Sequence, residues 1–574
     1  MTQLSGKNRF PKHPPVVEGS RENERKRSFY DNDETLQLIL KEYLNENFYE
    51  YADERLRSFG ERCANEIDER ARFTDREGKP ELVKYNQFGE DISEVFVNEG
   101  YKQTVEETYN EGIVGYVHKN IPELNEKGNY TYSFAQGYML SQAEPGFYCP
   151  VTLTLATAYL LDHYGDKKVK ERFLYNVCST GEHELFEGAT FLTERQGGSD
   201  VGANETTAVQ EGDTYRIYGE KYFASNVGMA GVAMVLARIE GSEAGSRGLS
   251  LFAVPWRQDD RSLNNVSIRR LKDKLGVIAV PSGEVEFNGA KAYLVGDPKK
   301  GFYYMMEALN LSRISNAVAS VGIMKRAYDE AYEYATRRKA FGNQLTNYPM
   351  VQDTLMRMKA KLHVETATIF DLIQLYEKVT NDDNVTEADI ILNRLNIAVV
   401  KKETADQAIQ FAHEAIEMLG GNGYIEDFVT PRLLRDAQVL SVWEGTANIL
   451  GLEVVRLFNR FDGAELYINQ MQERLRGLTN SSMYGQVVDI FEKVKENIYS
   501  FMGLAYDEQT FYSKQLSKKI NSFYETIVAL EWAERHGEKY EALAEIFIEQ
   551  EWNLREIGDE MMTVKYFDML TKDR

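Results

Sequence analysis

The chain changes its hydrophobic period twice, and this restricts its fold more than anything else. Up to Phe186-Glu187-Gly188-Ala189 the apolar residues recur at helical spacing. Leu36, Ile39, Leu40 and Tyr43 share one face of a helical pattern that runs from residue 34 to 71. A second helix is expected over 94–112. The apolar stretches 131–140 and 151–164 read as buried helices, separated by the break at Pro145-Gly146. Between about 188 and 296 the period drops to two. Short alternating runs at 214–218, 232–239, 249–254 and 284–287 are set apart by turn signals such as Glu211-Gly212-Asp213 and Asn288-Gly289. The charged stretch 269–276 reads as a loop.

After Gly301 the helical period returns. Leu311, Ile314, Val318 and Val321 recur at three and four, and the pattern ends near Arg338-Lys339-Ala340-Phe341-Gly342. A helix over 350–377 follows, then the polar connection Asn381-Asp382-Asp383-Asn384. Thr386 with Asp389 forms a capping-box-like start for a helix reaching Leu419. A last helix is expected over 431–458, broken near Trp443-Glu444. The expected organisation is α+β and multidomain. A helical domain (1–187, with a polar N-terminal arm to residue 33) precedes a β barrel or sandwich (188–296). A helical bundle (297–458) and a further helical, net acidic segment (459–574) complete it. Tyr130, Tyr132 and Tyr138, and likewise Trp532 and Trp552, read as core or interface.

Composition narrows the function classes. The 574 residues carry a formal net charge of −23, which repels nucleic acid and anionic lipid. The three cysteines, Cys63, Cys149 and Cys178, are far apart and form no CxxC pair, so reduced thiols in a cytoplasmic protein are expected. The seven histidines have no HExxH spacing, and no metal is expected. The N-terminal arm lacks the apolar segment of a secretory signal. No run of 18 apolar residues suggests a transmembrane helix.

Four stretches could carry chemistry. Leu192-Thr193-Glu194-Arg195-Gln196-Gly197-Gly198-Ser199-Asp200 places two hydroxyls around a glycine pair, where oxygen atoms of a ligand can meet donors. In Gly219-Glu220-Lys221-Tyr222-Phe223-Ala224-Ser225 an aromatic and a hydroxyl two residues apart could lie against a flat heterocycle. Arg338 and Phe341 pair a phosphate-binding fork with a stacking ring. Leu419-Gly420-Gly421-Asn422-Gly423-Tyr424 offers bare backbone, and Val442-Trp443-Glu444-Gly445-Thr446 offers a carboxylate beside an apolar ring. There desolvation would raise its pKa toward that of a working base. Taken singly, each has a plainer reading: a turn, a strand with one buried aromatic, a solvated basic helix end, a solvated glutamate.

Together and in this order, LTE…GGSD, GxKxFAS, RxxFG, LGGxGY and WEGT resemble the acyl-CoA dehydrogenase family. The resemblance runs over about 140–455, and the extended C-terminus places the chain nearest the longer AidB-like branch. It implies an N-terminal α domain, a middle β domain and a C-terminal four-helix bundle, in a homotetramer or another homo-oligomer. It implies FAD as cofactor, an acyl-CoA as substrate, trans-2-enoyl-CoA as product and an electron-transfer flavoprotein as acceptor, in fatty-acid or branched-chain acyl oxidation. Glu444 then matches the catalytic base. Leu192, Thr193, Ser199, Phe223, Ser225, Thr446 and Asn448 match flavin contacts, with Ser199 also near the thioester arm. Arg338 and Phe341 match ADP contacts from a neighbouring subunit, and Gly420 and Gly421 match the pyrophosphate loop. Arg313 and Asn310 match positions that meet the CoA moiety. The chain departs from the pattern at Asn310, Pro349 and Glu417, where Asp, Gln and Gln are common. Two other readings accompany this one: an AidB-like flavoprotein of alkylation or stress response, and a flavin-binding scaffold without turnover.

Overall fold

A computed structural model describes residues 28–571. Most of the polar arm read over 1–33 lies outside those residues. Helices dominate on both sides of a strand-rich middle, following the two changes of period.

The middle strands close on themselves. Ser282–Val295 pairs with Thr214–Ser225, which pairs with Thr207–Glu211. Val232–Ile239 continues from Thr207–Glu211 and pairs with Leu249–Pro255, which returns to Ser282–Val295. This is a five-strand barrel, with Gly188–Phe191 added on Val232–Ile239 and Val266–Leu271 on Ser282–Val295. Closure removes the exposed edges that an open sheet would leave. The run Val232–Ala237 is buried throughout, because the barrel fills one face and helices cover the other. Pro145–Tyr164 packs on Gly188–Phe191, and Gly301–Arg337 packs on Leu249–Pro255.

Three sequence expectations are corrected. Asn288-Gly289 is not a hairpin turn but a bulge inside the long strand Ser282–Val295, where the register shifts and Gly289 takes φ +82°. Residues 269–271 belong to the strand Val266–Leu271. Their charges are tolerated because Arg269 pairs with Glu220 on Thr214–Ser225 and Arg270 with Glu284 on the adjacent strand Ser282–Val295. The helix expected over 94–112 begins only at Glu99. Residues 91–96 form a hairpin strand with Glu81–Tyr85, in which Ser93 and Val95 are buried and Glu94 and Phe96 exposed, a two-residue period.

The bundle helices are Gly301–Arg337, Pro349–Asn381, Glu387–Leu419 and the pair Thr430–Leu440 and Ala447–Arg460. The capping box at Thr386 is present. Its hydroxyl accepts from Asp389 N at 3.1 Å and the Asp389 carboxylate accepts from Thr386 N at 3.0 Å. The C-terminal segment contributes Tyr506–His536, which packs against Pro349–Asn381, Glu387–Leu419 and Ala447–Arg460. Among the described residues no helix is long and apolar enough to cross a membrane.

Candidate active site

The helix Thr430–Leu440 stops where both Val442 N and Trp443 N donate to Val439 O, at 2.8 and 3.1 Å. The next two residues are left-handed, Glu444 at φ +59° and Gly445 at φ +105°. Glycine takes this conformation freely, but for glutamate it costs about 1–2 kcal/mol. The strain persists because buried cations hold the loop. Arg313 Nε, from the Gly301–Arg337 helix, donates to Glu444 O at 2.9 Å. Lys401 Nζ, from Glu387–Leu419, donates to Trp443 O and Gly445 O, each at 2.9 Å. Three successive carbonyls are therefore taken, and the side chain of Glu444 projects from a fixed backbone.

That side chain is prepared to accept a proton. Its Oε2 is buried with no hydrogen-bond partner, as is Trp443 Nε1. Burial pushes the Glu444 carboxyl above the usual carboxylate range, and the positive charges of Arg313 and Lys401 pull it part of the way back. Burial also pushes the Lys401 ammonium down, to about 8.

The barrel supplies a second wall. Tyr222 N donates to Thr193 O at 2.9 Å and ties the 192–199 loop to the strand Thr214–Ser225. Glu194 organises that loop from inside, accepting from Lys221 Nζ at 2.7 Å, Thr206 Oγ1 at 2.6 Å and Glu205 N at 2.7 Å. A Cβ at Gly198 would lie 2.5 Å from Thr193 Oγ1, so the bare backbone there is required. Leu192 and Thr193 are half-buried and Ser199 is exposed. Phe223 shows 55 % of its surface, and Ser225 Oγ lies 3.2 Å from Ser282 Oγ. Lys274, whose Nζ donates to Val277 O at 2.8 Å, and Glu444 both act on the thiol of half-buried Cys149. The segment after Val266–Leu271 meets the helix that leads to Glu444 directly, where Val277 N donates to Asp436 Oδ1 at 2.5 Å.

The remaining candidates gather elsewhere. Asn422 Nδ2 donates to Tyr334 OH at 3.4 Å, which sets the Gly420–Tyr424 turn beside the C-terminal end of Gly301–Arg337. Arg338 caps that end, and Phe341, at φ +49°, is 97 % exposed. Nothing lies within 4 Å of a Cβ built on Gly420 or Gly421. Tyr334 is about 30 Å along the helix from Arg313, at 1.5 Å per residue. Within one chain, Arg338, Phe341, Gly420 and Gly421 therefore form one group. Glu444, its neighbours Thr446 and Asn448, and the barrel residues form another. Arg313 and Asn310 belong to the second group but face inward: Arg313 Nη1 donates to Asn310 Oδ1 at 3.1 Å, and Arg313 props the Glu444 loop.

Asp68 joins the first helical region to this site. It accepts from Arg326 at 2.9 Å and from Arg432 at 2.8 Å, linking the two bundle helices that carry Arg313 and lead to Glu444. Burial alone would raise its pKa, but the two guanidiniums outweigh it and hold the carboxyl below its usual value.

Sequence reasoning missed Lys401 and Glu194. A signal for Lys401 exists, since it interrupts the apolar stripe Ile391, Leu395, Ala398, Ala405, Ala408, Ala412, where a solvated lysine would not sit. Glu194 carries no sequence signal of its own, because only the fold brings Lys221 to it.

An exposed aromatic face, three hydroxyls at Thr193, Ser199 and Ser225, two partnerless polar atoms and an open glycine backbone fit a large flat group with a polar rim and a phosphate-bearing tail. Comparison with known proteins agrees. Residues 299–457 match the acyl-CoA dehydrogenase C-terminal domain and 189–290 its middle domain. Residues 22–181 match the adaptive response protein AidB N-terminal domain. Acyl-CoA dehydrogenase family member 11 of Caenorhabditis elegans is 32 % identical over 463 residues, covering 79 % of this chain and 74 % of that protein. Putative acyl-CoA dehydrogenase AidB of Escherichia coli K12 is 30 % identical over 408 residues, covering 69 % and 72 %. The crystal structure of C. elegans ACDH-11 in complex with C11-CoA superposes with a TM-score of 0.85 at 26 % identity, covering 95 % of this chain and 94 % of that one.

Proposed function

The chain belongs to the acyl-CoA dehydrogenase family, and from that membership we propose that it oxidises an acyl-CoA thioester to the trans-2-enoyl-CoA, with Glu444 as the base. The observation that carries this reading is the Glu444 carboxylate: one oxygen buried and partnerless, on a loop held in a left-handed backbone by Arg313 and Lys401.

FAD is the cofactor, and when bound it supplies the acceptor for the hydride from the β-carbon. Leu192, Thr193, Ser199, Phe223, Ser225, Thr446 and Asn448 would hold its flavin half. Arg338, Phe341, Gly420 and Gly421 would hold the ADP half. The separation of about 30 Å between the two groups within one chain supports a site completed by a second copy. Glu444 takes the α-proton of the substrate. Its raised pKa brings it nearer to the acidity of the α-carbon, and its fixed loop spares the reaction the cost of orienting it. Trp443 and the Pro145–Tyr164 helix keep water from the carboxylate. Ser199, on the barrel loop, stands near the thioester arm. Electrons leave to an electron-transfer flavoprotein, and the acyl group comes from fatty-acid or branched-chain oxidation. A net charge of −23 weighs against a nucleic-acid-binding role.

Anaerobic titration of the flavin protein with a panel of acyl-CoAs, short to long and branched and including C11, tests the reading. Loss of the flavin absorbance band is expected with at least one of them. A band unmoved by every member would leave a flavin scaffold without turnover.

A further inference from the structure

Lys401 is buried to 1 % exposure in the middle of Glu387–Leu419, yet it makes no ion pair among the described residues. A buried ammonium needs acceptors, and the two it takes are the carbonyls immediately before and after the base. We infer that Lys401 is a positioning residue for Glu444, clamping the 443–445 backbone so that the base keeps its left-handed conformation and its direction. This rests on the reading of Glu444 as the base.

The geometry distinguishes a clamp from a merely satisfied lysine. The loop cannot bond its own carbonyls, because it lies between the end of Thr430–Leu440 and the start of Ala447–Arg460. Arg313 holds only the Glu444 carbonyl, so without Lys401 the peptide groups on either side of the base would be free to turn. Glu444 would then relax out of a conformation that disfavours any residue with a Cβ. The ammonium also faces the base electrostatically. Glu444 and Arg313 act on Lys401 from across the site, and Asp406 acts from its own helix. Removing the lysine charge leaves Arg313 as the cation that lowers the Glu444 pKa, so the base gains its proton at higher pH.

Two variants separate position from charge. Lys401→Met removes both donors and the charge. Lys401→Gln keeps an amide with two N–H donors but no charge. The measurement is exchange of the substrate α-proton with D2O against pH, on FAD-loaded protein. Lys401→Met is expected to exchange about 10–100-fold more slowly at saturating acyl-CoA, with KM little changed and the acid limb moved to higher pH. Lys401→Gln is expected to recover most of the rate while keeping the moved limb. Parental rate and parental limb in Lys401→Met would overturn the clamp. If the parent protein exchanges no α-proton from any acyl-CoA, the dehydrogenase reading fails instead. A crystal structure of Lys401→Met then decides the clamp by itself: Glu444 leaving positive φ upholds it, and an unchanged 443–445 backbone overturns it.

Discussion

Glu187 and Glu444 are both glutamates withdrawn from water, and they differ in what faces them. Glu444 has two cations nearby that offset part of its desolvation. Glu187 has only hydrogen-bond donors, among them Tyr109 OH at 3.2 Å, and burial pushes its carboxyl up to about 7. Its folded pKa stands above the unfolded value near 4.3. The stability it contributes is therefore fully present below about pH 4 and is lost as pH rises through about 7. Glu187→Gln keeps the shape and never ionises. The variant should match the parent near pH 4 and be more stable at pH 8 by up to about 3 kcal/mol in urea unfolding. An equal difference at both pH values would show that the charge is not the cause. Residue types of this kind are legible in a sequence, but their acidities are not. Glu444 was identified by its motif, whereas Lys401 and Glu194 owe their roles to partners 40 or so and about 27 residues away in sequence, brought close by folding.

Helices and strands were legible where one period runs undisturbed. The start of Glu387–Leu419 follows from a capping box, and the extent of Val232–Ile239 from a largely apolar run that begins after Gly231 and stops at Glu240-Gly241. Expectations failed where tertiary pairing overrode a local signal. Asn288-Gly289 carries turn chemistry, yet the neighbouring strands accept it as a bulge. The C-terminal segment shows the same dependence among helices. Lys361 lies 2.9 Å from Glu525, 3.2 Å from Glu365, 3.4 Å from Glu551 and 3.8 Å from Glu403. These carboxylates come from Pro349–Asn381, Glu387–Leu419, Tyr506–His536 and Glu538–Glu551, so one ammonium locks Tyr506–His536 and Glu538–Glu551 onto the bundle. Burial pushes the Glu525 carboxyl up, while the charges of Lys361, Lys402 and Lys518 outweigh burial at Glu403 and hold it below the usual carboxylate range. Lys361→Met should destabilise the protein by about 3–5 kcal/mol at pH 8, because it leaves buried carboxylates without their cation. At pH 5 the loss should be smaller, since some of those carboxylates can take up protons. Calorimetry or urea unfolding at the two pH values checks this, and a loss independent of pH would argue against the electrostatic origin.

On the scale of the whole molecule, three regions meet around the helices that carry the Glu444 loop. The first helices reach them through Asp68 and its two arginines, the barrel side through Val277 N, which donates to Asp436 Oδ1 on Thr430–Leu440, and the bundle holds the loop itself through Arg313 and Lys401. The order helical, β, helical was readable from the period, and the motif order singled out Glu444 as the candidate base. The division of the cofactor-binding candidates into two distant groups was not readable from spacing, because the long helix that separates them runs through both. The most direct test of Glu444 as base is exchange of the substrate α-proton with D2O by FAD-loaded parent and Glu444→Gln proteins. The parent is expected to exchange it. Glu444→Gln, with flavin bound and the fold intact, should be slower by about 100-fold or more. Exchange at the parental rate in Glu444→Gln would contradict the assignment of Glu444 as the base.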